Sequence, residues 1–245
     1  MILVVSGEGP GDIGSCVNGM GHCAGANFRV GPMTVMVDRI AQVLATYSLL
    51  DVGAVECVSE SCLSARSKKL PMAISAGKKR DYETAFFFKN ARALARIAKQ
   101  READASCPVG AVLFRDADGT RATERGLFEQ KWKSIDGGFA AEEFRNGVPM
   151  VPKPKSEAWL LCALKTQAYQ GCADLEETLS GNDHCPNPAK QQLDMRLQQL
   201  GRNFGDLNEM VKDGTIDAHQ IDMPSFTRFK KRLEDVVFGL LNEHP

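Results

Sequence analysis

The sequence has no apolar stretch long enough to cross a membrane. Nothing in its 245 residues approaches the about 18 consecutive apolar residues of a transmembrane helix. No basic region precedes the short apolar stretch 1–5, so a secretory leader is not expected either. Hydrophobic residues make up 43% of the chain and charged residues 25%, which is typical of globular proteins. We therefore expect a soluble, cytoplasmic protein that does not bind membranes.

The eight cysteines include no C-x-x-C pair, and the two His-Cys dipeptides lack the paired spacing of a zinc site. A disulfide framework is typical of small secreted chains, a class that the length and the amino terminus do not favour. We therefore expect reduced thiols. The positions are Cys16, Cys23, Cys57, Cys62, Cys107, Cys162, Cys172 and Cys185.

The chain also lacks an excess of basic residues, since its formal net charge is −1. A uniformly basic nucleic-acid-binding surface is thereby excluded. The charge is uneven, however, because residues 62–101 contain eleven basic and two acidic side chains. Lys and Arg that neutralise phosphates supply most non-specific affinity for nucleic acid, so Lys89, Arg92 and Arg96 are candidate contacts to DNA or RNA. A solvated helix face is the alternative for this basic segment.

Apolar runs alternate with helical patterns as far as residue 165. Apolar runs bounded by turn residues predict strands at 2–5, 54–58, 109–114 and 148–151. Apolar residues at helical spacing predict helices at 33–50, 83–101, 124–145 and 156–164, the third broken into two pieces at Gly137-Gly138. This alternation predicts an α/β fold with a mostly parallel sheet and helices on both faces.

Beyond about residue 166 no convincing strand follows. Helices are predicted at 187–200, 206–212 and 224–242. We therefore predict an α/β domain over 1–165 and a helical C-terminal extension over 166–245 that packs on it. The segment 14–31 after the first strand reads as a long loop of unassigned role, and its His22 as a loop or core histidine.

Acidic residues follow two of the predicted strands. Glu8 lies in the glycine-rich segment SGEGPGD, and Asp116 and Asp118 lie in RDADG after the strand 109–114. Extended residues two apart point to one side, so both aspartates can face one ion. Glu8 joins them if the two strands are neighbours, because ligands gather at the carboxyl ends of parallel strands. Such an oxygen-only site suits Mg²⁺ or Mn²⁺, which polarise phosphoryl oxygens.

Four more side chains belong near the same sheet edge. Asp12 and Glu157 are candidates for holding a second ion or orienting water, and Lys153 and Lys155 are candidate phosphate contacts. Each of these four residues also has an explanation that involves no functional site. Asp12 suits a turn, Glu157 complements the dipole at the start of a helix, and the lysines suit a solvated surface.

Two segments resemble the halves of a known domain. GEGPGD (7–12) and FRDADG (114–119) are similar to the metal-binding segments of the Toprim domain found in topoisomerases, primases and overcoming-lysogenization-defect nucleases. PKPKSEAWLLC (152–162) further resembles the E-A-W stretch of compact, RloB-related bacterial Toprim proteins. The resemblance covers residues 1–165, while the C-terminal helices match only in general character.

The resemblance implies a Toprim-like fold in which Glu8, Asp116 and Asp118 are catalytic and bind Mg²⁺ or Mn²⁺. It implies a metal-dependent nuclease that cleaves phosphodiester bonds of DNA or RNA. It also implies a role in antiphage defence, together with a partner protein such as an ATPase.

Two alternatives remain open at the sequence level. VLFRDADGT (112–120) also matches the D-x-D-G-T signature of haloacid-dehalogenase-type phosphatases, which would make Asp116 a phosphorylated nucleophile and Asp118 a general acid or base. That match lacks a downstream acidic pair after another strand, and it gives Glu8 no role. The other alternative is a Toprim-like subunit that binds nucleic acid or a partner without turnover. Loss of the acids would mark such a subunit, and all three are present.

Overall fold

The computed structural model describes residues 1–71, 82–117 and 127–242. Its strands in chain order are β1 (Ile2–Gly7), β2 (Gly14–Cys16), β3 (His22–Ala24), β4 (Phe28–Val30), β5 (Val55–Val58), β6 (Val109–Phe114) and β7 (Gly147–Met150). The four predicted strands correspond to β1, β5, β6 and β7. The segment that the sequence assigns to a long loop contains the three-residue strands β2, β3 and β4.

Strands β5, β1, β6 and β7 lie parallel in that order, and β3 pairs antiparallel with β5 at the sheet edge. β2 and β4 form a separate antiparallel pair. Every residue of β6 is buried, as are residues 2–6 of β1. Continuous apolar runs suit parallel strands that are covered on both faces. The α/β fold with a mostly parallel sheet is therefore confirmed, although the five-stranded sheet is mixed.

The α-helices in the described part of the chain are α1 (Pro32–Ala45), α2 (Glu60–Lys68), α3 (Tyr82–Ala105), α4 (Leu127–Ala140), α5 (Ser156–Leu164), α6 (Leu175–Thr178), α7 (Ala189–Gln199), α8 (Leu207–Lys212) and α9 (Pro224–Asn242). Helix α1 stops before its predicted end because Thr46 adopts a left-handed conformation, with φ of 66°, and donates its N–H to Gln42 O. Helix α2, with its mostly polar sequence, lacks the apolar periodicity that predicts the other long helices.

The crossovers distribute the helices over the sheet. The chain moves from β1 to β5 in one direction across the sheet and from β5 to β6 in the other. Right-handed crossovers then put α1 and α3 on opposite faces. Helix α9 contacts α1, β6 and β7, whereas α3 contacts α2, α4 and β6. Both faces of the central strands are thereby covered.

The predicted break at Gly137-Gly138 is wrong, because α4 runs through both glycines. A Cβ atom at Gly138 would lie 2.5 Å from Phe88 O and 2.6 Å from Ala91 Cβ of α3. The glycine therefore lets α3 and α4 approach closely. Packing between the two helices, rather than local propensity, explains a glycine inside this helix.

The C-terminal helices share the core of the sheet. Trp159 of α5 is fully buried, donates its indole N–H to Ser225 Oγ at 2.8 Å, and packs against Phe226 and Phe229 of α9. One continuous buried apolar cluster extends from β1 to α9. The packing of the C-terminal helices on the sheet is thus visible, while a domain boundary at residue 165 stays a prediction.

Two disulfides join Cys16 to Cys23 and Cys162 to Cys172. The expectation of reduced thiols is therefore wrong for these four cysteines. The reason is tertiary placement, which brings sulfurs together from segments with no recognisable cysteine motif. Among the residues that the structure describes, no helix is both long and apolar enough to span a membrane.

Candidate functional site

Glu8 and Asp116 meet at the carboxyl edge of the sheet. Gly7, the last residue of β1, pairs with Phe114, the last residue of β6. The two strands are therefore neighbours, which is the condition for Glu8 to join Asp116. A Cβ atom at Gly7 would lie 2.8 Å from Phe114 Cβ, so glycine permits the close approach. Beyond the strands, Asp116 N–H donates a hydrogen bond to Glu8 Oε1 at 2.8 Å.

Asp12 reaches the same edge through a tight turn. Gly9 adopts a φ of 77°, which favours glycine, and its carbonyl accepts the N–H of Asp12 at 3.1 Å. The carboxylate of Asp12 accepts a hydrogen bond of 2.5 Å from the hydroxyl of Ser156. The turn thereby brings Asp12 to the start of α5.

Ser156 connects three of the acids and was not singled out as a site residue by sequence reasoning. Its N–H donates to Asp116 Oδ1 at 3.1 Å, and its Oγ lies 3.4 Å from Glu157 Oε2. Serine often caps a helix, but here the N-cap residue is Lys155 and Ser156 is the first helical residue. Its hydroxyl is therefore used by Asp12 instead of by the helix.

Arg115 is the second residue that sequence reasoning missed. Its side chain is 1% exposed, and its Nη1 lies 3.2 Å from Glu8 Oε2 and 3.1 Å from Glu60 Oε1. The guanidinium also lies over the ring of Phe86, 5.3 Å from the centroid. A basic residue placed directly between the buried strand β6 and Asp116 was the available signal. Arg115 fixes the position of Glu8 and neutralises part of its charge.

Burial and mutual repulsion disfavour ionisation of two of these acids. Burial raises the pKa of Asp116 well above its ordinary value, and the charges of Asp12, Glu157 and Glu8 raise it further. The hydrogen bond from the Ser156 N–H lowers the pKa, but by less. Burial also raises the pKa of Asp12 from 3.8 to about 6, with further increases from Glu157 and Glu8, while Ser156 and Lys155 lower it. Four carboxylates from three segments of the chain therefore interact at one edge.

The donor set fits a hard divalent cation in its chemistry, since Mg²⁺ and Mn²⁺ prefer carboxylate oxygens. Oxygens bound to one Mg²⁺ lie no more than about 4.2 Å apart, given bond lengths of about 2.1 Å. Among the described residues, one group of three Asp, Glu, His or Cys side chains has ligand atoms that all lie within 4.8 Å of one another. That group is Cys16, Cys23 and Cys57, and it contains none of the acids. Cation binding by the acids therefore requires their side chains to draw closer together.

The other predicted site residues are placed as follows. Asp118 lies outside the described residues, so its role as a ligand stays a prediction. Lys153 Nζ contacts Glu177 at 2.5 Å, and Lys155 Nζ lies 3.4 Å from Asp183. Both lysines therefore bind carboxylates of the C-terminal region.

Two basic residues of α3 bind a carboxylate that is not part of the acid cluster. Arg92 and Arg96 both bind the carboxylate of Glu142, at 2.6 and 2.8 Å, and Lys99 Nζ donates to its carbonyl. The side chain of Arg92 is only 8% exposed, whereas that of Arg96 is 50% exposed. Lys89 is half-buried on the same helix. Their contact with nucleic acid stays a prediction.

Comparison of the chain with protein-family models, with curated proteins and with solved structures finds no match in any of the three. The Toprim resemblance therefore depends on the sequence segments that carry it.

Proposed function

We propose that the protein is a Mg²⁺- or Mn²⁺-dependent nuclease with a Toprim-like α/β fold. The observation that carries the proposal is the direct hydrogen bond between the residues that follow two adjacent parallel strands, from Asp116 N–H to Glu8 Oε1. Glu8 and Asp116 would hold the cation, together with Asp118, which lies outside the described residues. Asp12 and Glu157 would hold a second ion or orient water.

The repulsion within the cluster supports the presence of a cation. Burial is the main reason that the pKa values of Asp12 and Asp116 are raised, and neighbouring carboxylates raise them further. A divalent cation at this edge would offset that repulsion and favour the ionised acids. When bound, such an ion would polarise a phosphoryl oxygen of the substrate.

The protein's own residues supply orientation. Ser156 holds Asp12 through its hydroxyl and Asp116 through its N–H, so two candidate ligands share one support. Arg115 holds Glu8 from the buried side. Restrained carboxylates lose less conformational entropy when they move together to bind a ligand.

The proposed substrate is DNA or RNA. Lys153 and Lys155 precede Ser156 in the chain and bind carboxylates of the C-terminal region, so exchange of those partners for backbone phosphates would place a nucleic acid next to the site. Lys89, Arg92 and Arg96 would contribute further contacts. Action in the cytoplasm, in antiphage defence and with a partner such as an ATPase, belongs to the same proposal.

The test is to assay Glu8→Gln and Asp116→Asn on supercoiled DNA, single strands and tRNA in Mg²⁺ or Mn²⁺. Each change preserves shape and removes a charged ligand, so cleavage should fall by about 100-fold or more, the effect of removing one group that stabilises a transition state. Glu209→Gln removes the same charge from an exposed position on α8 and should leave cleavage unchanged. Thermal unfolding of each variant separates lost activity from lost fold.

Other outcomes would support the alternatives. Chemical trapping of phospho-Asp116 on a small phosphomonoester, with full activity in Glu8→Gln, would identify a haloacid-dehalogenase-type phosphatase and overturn the nuclease proposal. Metal-independent nucleic-acid binding with no cleavage of any substrate would favour the binding subunit.

A further inference from the structure

Three sulfur atoms lie close together at the paired strands β3 and β5, at the edge of the sheet. Cys23 of β3 lies directly across from Cys57 of β5, and Cys16 at the end of β2 forms a disulfide with Cys23. The Sγ atoms of all three cysteines lie within 4.8 Å of one another. Cys57 is the member of this sulfur cluster that forms no disulfide.

Two strand pairs hold the three cysteines in position. β3 pairs with β5 over three residues, and β2 pairs with β4. Cys16 Sγ also lies 3.5 Å from the carbonyl oxygen of Cys57. Cys23 is 6% exposed and Cys57 1%, while Cys16 is only partly buried. A ligand can therefore reach the cluster past Cys16 and finds the other two sulfurs already positioned.

We propose that Cys16, Cys23 and Cys57 bind one soft d¹⁰ cation, Zn²⁺ or Cu⁺, when the Cys16–Cys23 disulfide is reduced. Thiolates are the protein ligands that these two ions share, and they do not suit Mg²⁺. The sulfur cluster would thus be chemically separate from the carboxylates beyond β1 and β6. Oxidation to the disulfide withdraws two of the three ligands, so cation binding depends on redox state.

Reduction of the disulfide and binding of the cation are two separate steps. A dithiol reductant gives two electrons and two protons to the Cys16–Cys23 bond, which breaks to yield two thiols while the reductant becomes a disulfide. Cation binding then releases three thiol protons to solvent and forms three bonds from sulfur to the ion.

The experiment uses the full chain, reduced without oxygen and separated from the reductant. Zn²⁺ and Cu⁺ are titrated separately against competing chelators, and Co²⁺ is added as a spectroscopic probe whose sulfur-to-metal charge-transfer absorbance reports thiolate ligands. The reduced protein should bind one equivalent, and the oxidised protein should bind none at this site. The titration that gives the higher affinity identifies which of the two ions the cluster prefers.

Variants locate the site. Cys57→Ser leaves the disulfide partners in place and should weaken binding by more than about 100-fold, since even groups that only support metal ligands contribute about 10- to 100-fold. Cys185→Ser, at an exposed free cysteine, should bind like the unmodified chain. Cys172→Ser removes a thiol of the other disulfide pair, and its reduced form should also bind one equivalent of cation.

The folding of each variant is checked by circular dichroism. If Cys57→Ser does not fold, Cys16→Ser provides the same test at a partly exposed position. Equal binding by the reduced and oxidised chains would overturn the proposal. So would unchanged affinity in a folded Cys57→Ser or Cys16→Ser variant, or the absence of thiolate charge transfer in the reduced chain.

Discussion

At the residue scale, Asp12 shows how opposing effects are balanced at the acid cluster. Its hydrogen bond from Ser156 favours the carboxylate, whereas burial and the charges of Glu157 and Glu8 oppose it. Burial is the larger effect, so the pKa is raised to about 6. The folded protein therefore holds a proton at Asp12 over a pH range in which the unfolded chain has released it.

This difference predicts the sign of a pH dependence. Between pH 3.8 and about 6 the folded state binds more protons at Asp12, so its contribution to stability is greatest below that range and is lost as pH rises through it. Asp12→Asn cannot ionise and should gain stability relative to the unmodified chain as pH rises from 4 to 7, by up to about 3 kcal/mol. Urea unfolding at several pH values, in the presence of a chelator, measures the difference.

The exposed Asp51→Asn is the matched control and should show no comparable gain. A difference between Asp12→Asn and the unmodified chain that stays constant with pH would contradict the prediction. Mg²⁺ added at pH 7 should stabilise the unmodified chain more than Asp12→Asn, because a bound cation favours the ionised acid.

At the element scale, the contact between α3 and α4 depends on which of two adjacent glycines faces the partner helix. A Cβ atom at Gly138 would press on backbone and side-chain atoms of α3, whereas at Gly137 the nearest atom, in the Phe88 ring, is 3.8 Å away. The same sequence pair therefore contains one residue required by packing and one that is not.

Gly138→Ala should destabilise the protein by about 1–3 kcal/mol, because overpacking forces the two helices apart. Gly137→Ala should stabilise it by about 0.5–1 kcal/mol, because alanine is the better helix former and ordinary van der Waals space is available. Thermal unfolding of the two variants compares them directly. Equal effects from both substitutions would mean that the close contact at Gly138 does not limit the packing of α3 and α4.

At the scale of the whole molecule, the C-terminal helices are part of the central core. Helix α9 buries Phe226, Phe229 and Leu233 completely, and Trp159 of α5 packs among their neighbours. If the C-terminal helices separated from the sheet, the apolar surface now buried between them would be exposed to water. Cooperative unfolding is then favoured over stepwise loss of the C-terminal region.

We therefore predict that the chain unfolds in one transition. Trp132→Phe leaves Trp159 as the single tryptophan of the sequence, so its fluorescence reports the contact between α5 and α9. The fluorescence and far-ultraviolet circular dichroism curves in urea should coincide, which is the test of two-state behaviour. Loss of the fluorescence signal at lower urea would instead indicate that residues 166–245 unfold as a separate unit.

The sequence by itself determined the elements whose signals are local. Burial along β6 is continuous, and its apolar run predicts its bounds correctly; the helical spacing in α9 does the same for 224–242. The positions of Glu8 and Asp116 after strands were likewise visible, because each strand ends within a few residues of its acid. Periodicity and turn residues act over short stretches, so these features can be read without the fold.

Only the tertiary structure decided which distant residues meet. Ser156 and Asp12 are 144 residues apart, and Arg115 reaches both Glu8 and Glu60. Cys57 joins the Cys16–Cys23 pair through the antiparallel pairing of β3 and β5. Such contacts leave no periodic trace in one sequence, because strand order and helix packing, which follow from burying the whole core at once, bring the side chains together.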